Sequence, residues 1–295
     1  MRSALPLLAF CASLLCPPVA MALNEYGIEG MGVVSTRANE GRASISPDGQ
    51  RIVWASDRTG ARAGWNLWQA RLHEGRWQQP EALAVNSDED DLDPYFSRDG
   101  RWLLFASRRG GTLALYRVPV SADGQLGSVQ PLAGPGADTA AERAPALSVD
   151  GRWLLFSRQS GSGTGYQLQV APLQQGRRGP AQTLTALDTA ADELHADWLP
   201  GGAVVFSRGQ GDTAQVWTSR CAWTGAGQQP LPLSFNQATG WTGTPVIDNA
   251  KPAEMLLASS AARAPRAGGV DVYRMAVPAL PAEVPCAPPV PAGAP

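Results

Sequence analysis

Lysine, histidine and cysteine are almost missing from this 295-residue chain. Lys251 is its single lysine, His73 and His195 are its histidines, and the four cysteines stand at 11, 16, 221 and 286. With no Cys-x-x-Cys pair and no two histidines in one motif, a zinc-type centre has no ligand set, and neither a metal nor another cofactor is expected. An excess of either charge is also absent, since 24 Lys+Arg against 26 Asp+Glu leave −2. A chain so balanced lacks the electrostatic footprint of a nucleic-acid binder. Beyond the N-terminus no apolar run approaches the ~20 residues of a bilayer-spanning helix, so no transmembrane anchor is expected. The nucleophile elbow Gly-x-Ser-x-Gly does not occur, and Gly161-Ser162-Gly163 has no strand and helix around it. Gly110-Gly111 and the Gly60 to Gly64 segment precede strands rather than helices, which argues against a phosphate cradle.

What the chain has in quantity is turn chemistry. Its 32 glycines and 25 prolines exclude a helical bundle and predict many short strands. Residues 1–22 read as a secretory signal: Arg2 is the positive end, Ala4 to Leu15 the apolar stretch, and Ala20-Met21-Ala22 the small-x-small cleavage site. Cys16 would fit lipoprotein processing only if a small residue stood where Leu15 stands, so soluble export to the periplasm or medium is expected. Maturation leaves Cys221 and Cys286. In an oxidising compartment the two invite one disulfide, although spacing alone is equally compatible with two separate thiols.

One turn recurs every 51 residues, at Asp48-Gly49, Asp99-Gly100, Asp150-Gly151 and Gly201-Gly202. Each lies between two apolar segments, as in Tyr95-Phe96-Ser97 and Trp102-Leu103-Leu104-Phe105. A third strand follows, seen in Asn66-Leu67-Trp68 and Leu113 to Tyr116. A weaker fourth is marked by Trp77 to Leu83, Val129 to Leu132, Gln182 to Leu184 and Pro232-Leu233. Proline there fits an outermost edge strand. Four antiparallel strands in about 50 residues make a propeller blade. A fifth, degenerate copy spans 244 to 277 and lacks its outer strand, whereas Val33-Val34 stands 51 residues before Ala84-Val85. The expected fold is all-β: a five-bladed β-propeller of four-stranded antiparallel blades over 23–277, closed by residues 28 to 34, with a Pro-rich tail at 278–295. Leu184, Leu187, Ala191 and Leu194 also fit a helical spacing, but the repeat register predicts a strand there.

Ser46-Pro47-Asp48-Gly49-Gln50-Arg51-Ile52-Val53-Trp54 with Asn66-Leu67-Trp68 resembles the WD-like propeller repeats of the TolB type. Asp93-Pro94-Tyr95-Phe96-Ser97-Arg98-Asp99-Gly100 carries the same resemblance. The likeness covers most of residues 28 to 277 and implies an exported bacterial envelope protein, with five blades where TolB itself has six.

A carboxylate recurs about four residues before the first strand of four blades, as Glu40, Asp91, Glu142 and Glu193, with Thr242 in the fifth. These acids should ring the face where blade-to-blade loops descend to the channel. Each could pair with an arginine or with amides of the next blade, or unpaired members could line a polar mouth. His195 falls in the same loop. Trp65 and Trp241 are placed in loops of the same face, where an exposed indole would stack on a sugar or peptide side chain. The expectation is a monomeric, non-enzymatic propeller that binds a protein or cell-envelope glycan through Glu40, Asp91, Glu142, Glu193, His195, Trp65 and Trp241. The alternative is a carbohydrate-active enzyme using channel carboxylates.

Overall fold

A computed structural model describes residues 25–62, 64–137, 140–161, 165–261, 266–280 and 286. The expected signal peptide lies outside the described residues, as does most of the tail. Among the described residues there is no α-helix; five antiparallel sheets account for the regular structure. Blade one comprises Glu40–Ile45, Arg51–Ser56, Asn66–His73 and Glu81–Ala82, and blade two Asp91–Phe96, Trp102–Ser107, Ala114–Pro119 and Gln130–Pro131. Blade three comprises Glu142–Leu147, Trp153–Gln159, Tyr166–Gln174 and Gln182–Thr183, and blade four Asp192–Trp198, Val204–Gln210, Thr213–Ser219 and Gln229–Pro230. The segment with helical spacing is therefore strand from Asp192 on. In blade four the outer strand precedes Pro232-Leu233, because Leu231 and Leu233 turn inward and are buried.

Blades one to three start with the same local device. In the first hairpin a serine hydroxyl donates to the aspartate two residues on, at 2.6 Å for both Ser97–Asp99 and Ser148–Asp150. The next residue, Gly100 or Gly151, has φ of 70° or 68°, a conformation open to glycine at no steric cost. The second strands that follow are buried on both faces. Leu103, Leu104 and Phe105 are fully covered, as are Leu154, Leu155 and Phe156, each contributing ~1.5–3 kcal/mol against exposure.

Blade five is shared by the two ends of the chain. Thr242–Ile247, Glu254–Ser259 and Asp271–Ala276 are completed by Glu25–Ile28, with Gly27 opposite Arg274 and Ile28 opposite Tyr273. Closure by the N-terminal strand is as expected, but the strand lies just upstream of the expected 28 to 34. Residues 30 to 35 instead form a turn in which Gly32 donates to Ser35 O at 2.8 Å, and Val34 is fully buried between blades five and one. The repeat alignment was sound: Ala84-Val85, its counterpart, also follows its outer strand rather than forming it. Arg274 fastens the seam with ion pairs of 2.6 Å each to Glu29, Asp248 and Glu254. Cys221 and Cys286 form a disulfide 65 residues apart in sequence, beside Gly202 of the blade-four hairpin. A loop of that length contributes about 4 kcal/mol on the chain-entropy model.

Removing the residues up to Glu29 should open the edge of blade five and unpair Arg274. Thermal denaturation of such a deletion should show a fall of more than about 5 °C, several-fold more than trimming a free end. A variant melting with the parent would refute closure by this strand.

Candidate functional site

The four repeated acids are the first or second residues of their inner strands, not members of the preceding loops, and are between 0 and 1% exposed. Arg58 Nη2 lies 3.1 Å from Glu40 Oε1, Arg109 Nη2 2.8 Å from Asp91 Oδ1, and Arg208 Nε 2.9 Å from Glu193 Oε1. Glu142 has two partners at 2.6 Å, Arg158 and Arg178. A hydroxyl four residues upstream donates to three of the acids: Thr36 to Glu40 at 2.8 Å, Ser87 to Asp91 at 3.0 Å and Thr189 to Glu193 at 2.7 Å. The arginines also lie over aromatic rings of the second strand, Arg58 over Trp54 at 4.9 Å, Arg109 over Phe105 at 5.1 Å and Arg208 over Phe206 at 5.0 Å. Their remaining N–H groups reach back to the preceding blade, donating to Val33 O from Arg58, Val85 O from Arg109 and Leu187 O from Arg208. Burial pushes the Glu40 and Glu193 carboxyls up, against the threonine and arginine contacts that pull them down. With their oxygens occupied in this way, the acids act as clamps between blades. Blade five puts Thr242 there, hydrogen-bonded at 2.9 Å to Ser259.

His195 is not a loop residue. It sits mid-strand, 5% exposed, at the bulge that every inner strand carries, with φ of 52°. The equivalent positions hold Arg42, Asp93, Ala144 and Thr244, so the channel axis gathers Arg42, Asp93, His195 and, beside them, Arg143 and Asp197. Arg42 spans the channel, donating to Pro145 O at 2.9 Å and Ala196 O at 3.1 Å. Asp93 accepts from Arg143 at 2.8 and 3.2 Å. Asp197 accepts from Trp198 N and Ile247 N, each at 2.8 Å, and from Tyr95 Oη at 3.3 Å. His195 Nε2 is 3.4 Å from Asp93 Oδ1, a long contact, and neither ring nitrogen has a hydrogen-bond partner. Burial and the nearby Arg143 charge lower its pKa to about 4, against the pull of Asp93. Burial alone would raise Asp93, but Arg143 and His195 outweigh it and hold the carboxyl well below the usual range. Among the described residues no group of three or more ligands fits a metal ion.

Trp65 and Trp241 remain open to solvent, half-buried at the rim of the same face. Each indole rests on a glycine of an inner strand: a Cβ on Gly41 would come 3.3 Å from Trp65, and one on Gly243 would come 3.1 Å from Trp241. The other blades carry Leu92, Arg143 and Leu194 at that position. Neither indole N–H has a hydrogen-bond partner among the described residues, and neither is sealed from solvent. Sequence reasoning sets the opposite face aside as a repeat of short, similar turns, yet grooves of roughly 280 to 540 Å³ open there between adjacent hairpins. Its signal was available in the hairpin residues that break the repeat.

Two measurements check these assignments. Glu142→Ala would strand Arg178, which is fully buried, and should cost about 3–5 kcal/mol in urea denaturation, whereas Asp99→Ala at an exposed hairpin should cost under about 1 kcal/mol. Equal losses would contradict the clamp. For His195 the folded pKa lies below the unfolded one, so no penalty exists above pH ~6.5 and one accumulates as pH falls toward 4, reaching about 3 kcal/mol. The stability of the parent relative to His195→Asn should fall over that window; parallel pH profiles would refute it.

No protein-family model and no curated protein sequence matches the chain. Among solved structures it is similar to an endo-arabinase from Bacteroides thetaiotaomicron, with 12% identity over 85% of this chain and 98% of that one, at a TM-score of 0.58. TolB from Acinetobacter baumannii matches at 23% identity over 66% of this chain and 43% of that one, with a TM-score of 0.49. A puromycin-hydrolyzing peptidase from Mycobacterium tuberculosis matches at 18% over 77% and 35%, with a TM-score of 0.44. The matches thus span less than half of the TolB and peptidase chains. At such identities the likeness is one of fold, and it joins the 51-residue turn repeat and the five antiparallel sheets in one conclusion: this chain is a five-bladed β-propeller.

Proposed function

We propose that the protein is an exported, non-enzymatic propeller that binds a protein or cell-envelope polymer at the rim bearing Trp65 and Trp241. The observation that carries this reading is the division of labour at that face. Glu40, Asp91, Glu142 and Glu193 are spent on arginines inside the fold, while the two indoles keep a free face and a free N–H donor. Glycosidic cleavage asks for two carboxyl groups in unequal environments with room for a sugar between them. A stacking surface with a donor at its edge asks only for a ring or an apolar side chain. The Cys221–Cys286 disulfide supports export, because such bonds persist in oxidising compartments. The endo-arabinase likeness favours a second reading, a carbohydrate-active enzyme working through Asp93 and Asp197 in the channel.

Both readings meet one experiment. The purified protein is incubated with a glycan panel that includes arabinan, and its retention on isolated envelope sacculi is measured beside Trp65→Ala/Trp241→Ala and Asp99→Ala variants. The expected result is no release of reducing ends and retention that drops about tenfold in the tryptophan variant at unchanged melting temperature, the size of a lost aromatic anchor. Sugar release abolished by Asp93→Asn would overturn the proposal, as would retention lost with Asp99→Ala and kept by the tryptophan variant.

A further inference from the structure

Two arginines of blade two break the repeat, and both line the same groove. Arg98 occupies the hairpin position held by Pro47 in blade one and Val149 in blade three. Arg117 occupies the third-strand position held by Gln69, Val170 and Thr218. They meet in a groove of about 320 Å³ between the hairpins of blades two and three, on the face opposite Trp65 and Trp241. Neither guanidinium has a hydrogen bond or ion pair among the described residues, and the Nε atom of each is buried without a partner. Arg117 lies over Trp102, its Cζ 4.2 Å from the ring centroid, with its Nη atoms 2.8 and 2.9 Å from where a Cβ on Gly176 would sit. Burial lowers the Arg117 pKa, and no carboxylate opposes it. Asp197, at the channel end, acts on Arg98 through space only.

The acids at the rim are already neutralised. Asp99 pairs with Arg101 and Asp150 with Arg152, each at 2.6 Å. Arg117 is thereby left with the Trp102 ring, and Arg98 with the through-space pull of Asp197, in place of a hydrogen-bonded anion, beside a wall that includes Leu132, Leu147 and Leu173. A half-buried cation with no partner is costly unless an anion supplies one. The apolar wall asks that the anion carry a hydrocarbon body, which an inorganic ion lacks.

We infer that the groove between blades two and three is a binding site for an organic carboxylate with an apolar chain, held by Arg98 and Arg117. A free monocarboxylate and the C-terminal carboxylate of a peptide ending in an aliphatic residue share this chemistry. This site is independent of the indole rim, so its test does not involve Trp65 or Trp241.

The probes are octanoate, a pentapeptide ending in leucine with a free carboxylate, the same peptide amidated, and inorganic phosphate. Each is titrated calorimetrically into the full exported protein. The expected result is saturable binding of octanoate or of the free-acid peptide, with the amide and phosphate at least about tenfold weaker. Arg98→Gln should weaken binding about tenfold, the size of one charge-assisted hydrogen bond. Arg117→Gln should do likewise. Arg117→Lys, which keeps the charge should the Trp102 stack prove necessary for folding, should fall between. Binding of the peptide without octanoate assigns the source to a protein C-terminus, and the reverse assigns it to a small metabolite. Absence of binding by both carboxylates overturns the inference, as does phosphate binding as tightly as octanoate or undiminished affinity in the Arg98→Gln/Arg117→Gln double variant.

Discussion

The ring depends on a buried carboxylate that no blade can keep by itself. An acid taken from water costs several kcal/mol unless its oxygens are met, and here they are met from two directions at once. The arginine comes from the same blade and is levelled by an aromatic ring beneath it, while the hydroxyl comes from the loop that leads in from the blade before. Arg58, Arg109 and Arg208 in turn cap carbonyls of that loop, and in blade three, where Arg158 and Arg178 share Glu142, it is Arg178 that reaches back, to Leu132 O. Folding one blade therefore supplies the solvation of the next, which couples four otherwise self-sufficient sheets. Blade five has no such acid. Its cohesion comes instead from Arg274, whose three carboxylates belong to the N-terminal segment, the hairpin and the second strand.

The same economy closes the axis. Arg42 reaches from blade one to carbonyls of blades three and four, and the acids around it are held by Arg143, by amides and by Tyr95. A channel so filled is a brace rather than a conduit. The contacts proposed for ligands lie instead on the two outer faces, one presenting indoles seated on glycines and the other a pair of arginines whose Nε atoms are buried without hydrogen-bond partners.

Much of the fold was legible because a 51-residue period survives in turn residues, where backbone conformation restricts the choice to Asp-Gly or Gly-Gly. Boundaries and roles were less so. The bulge in each inner strand breaks the alternation that would have marked Glu40, Asp91 and Glu142 as strand residues, so the acids and His195 read as loop. Pairing of the acids with arginines was legible, and the repeat blurs only which arginine serves: Arg58 and Arg109 stand two residues past the second-strand serine, but Arg158 and Arg208 only one. A periodic search finds the acids and misses the drift in what neutralises them. Arg98 and Arg117 were visible as departures from the repeat. Their meaning needed the register that sets one hairpin beside the next.

The disulfide gives the ring seam a direction. Cys221 lies just past the third strand of blade four and Cys286 beyond the last strand of blade five, so the covalent loop encloses the three strands that blade five takes from the C-terminal half. Those strands cannot leave the molecule when hydrogen bonds fail. The fourth strand, Glu25–Ile28, lies outside that loop and is held by backbone pairing, by Ile28 packed against the core, and by the Arg274 and Trp77 contacts of Glu29. The seam is thus held unequally: covalently on its C-terminal side, through the sulfur bridge, and by non-covalent contacts on its N-terminal side.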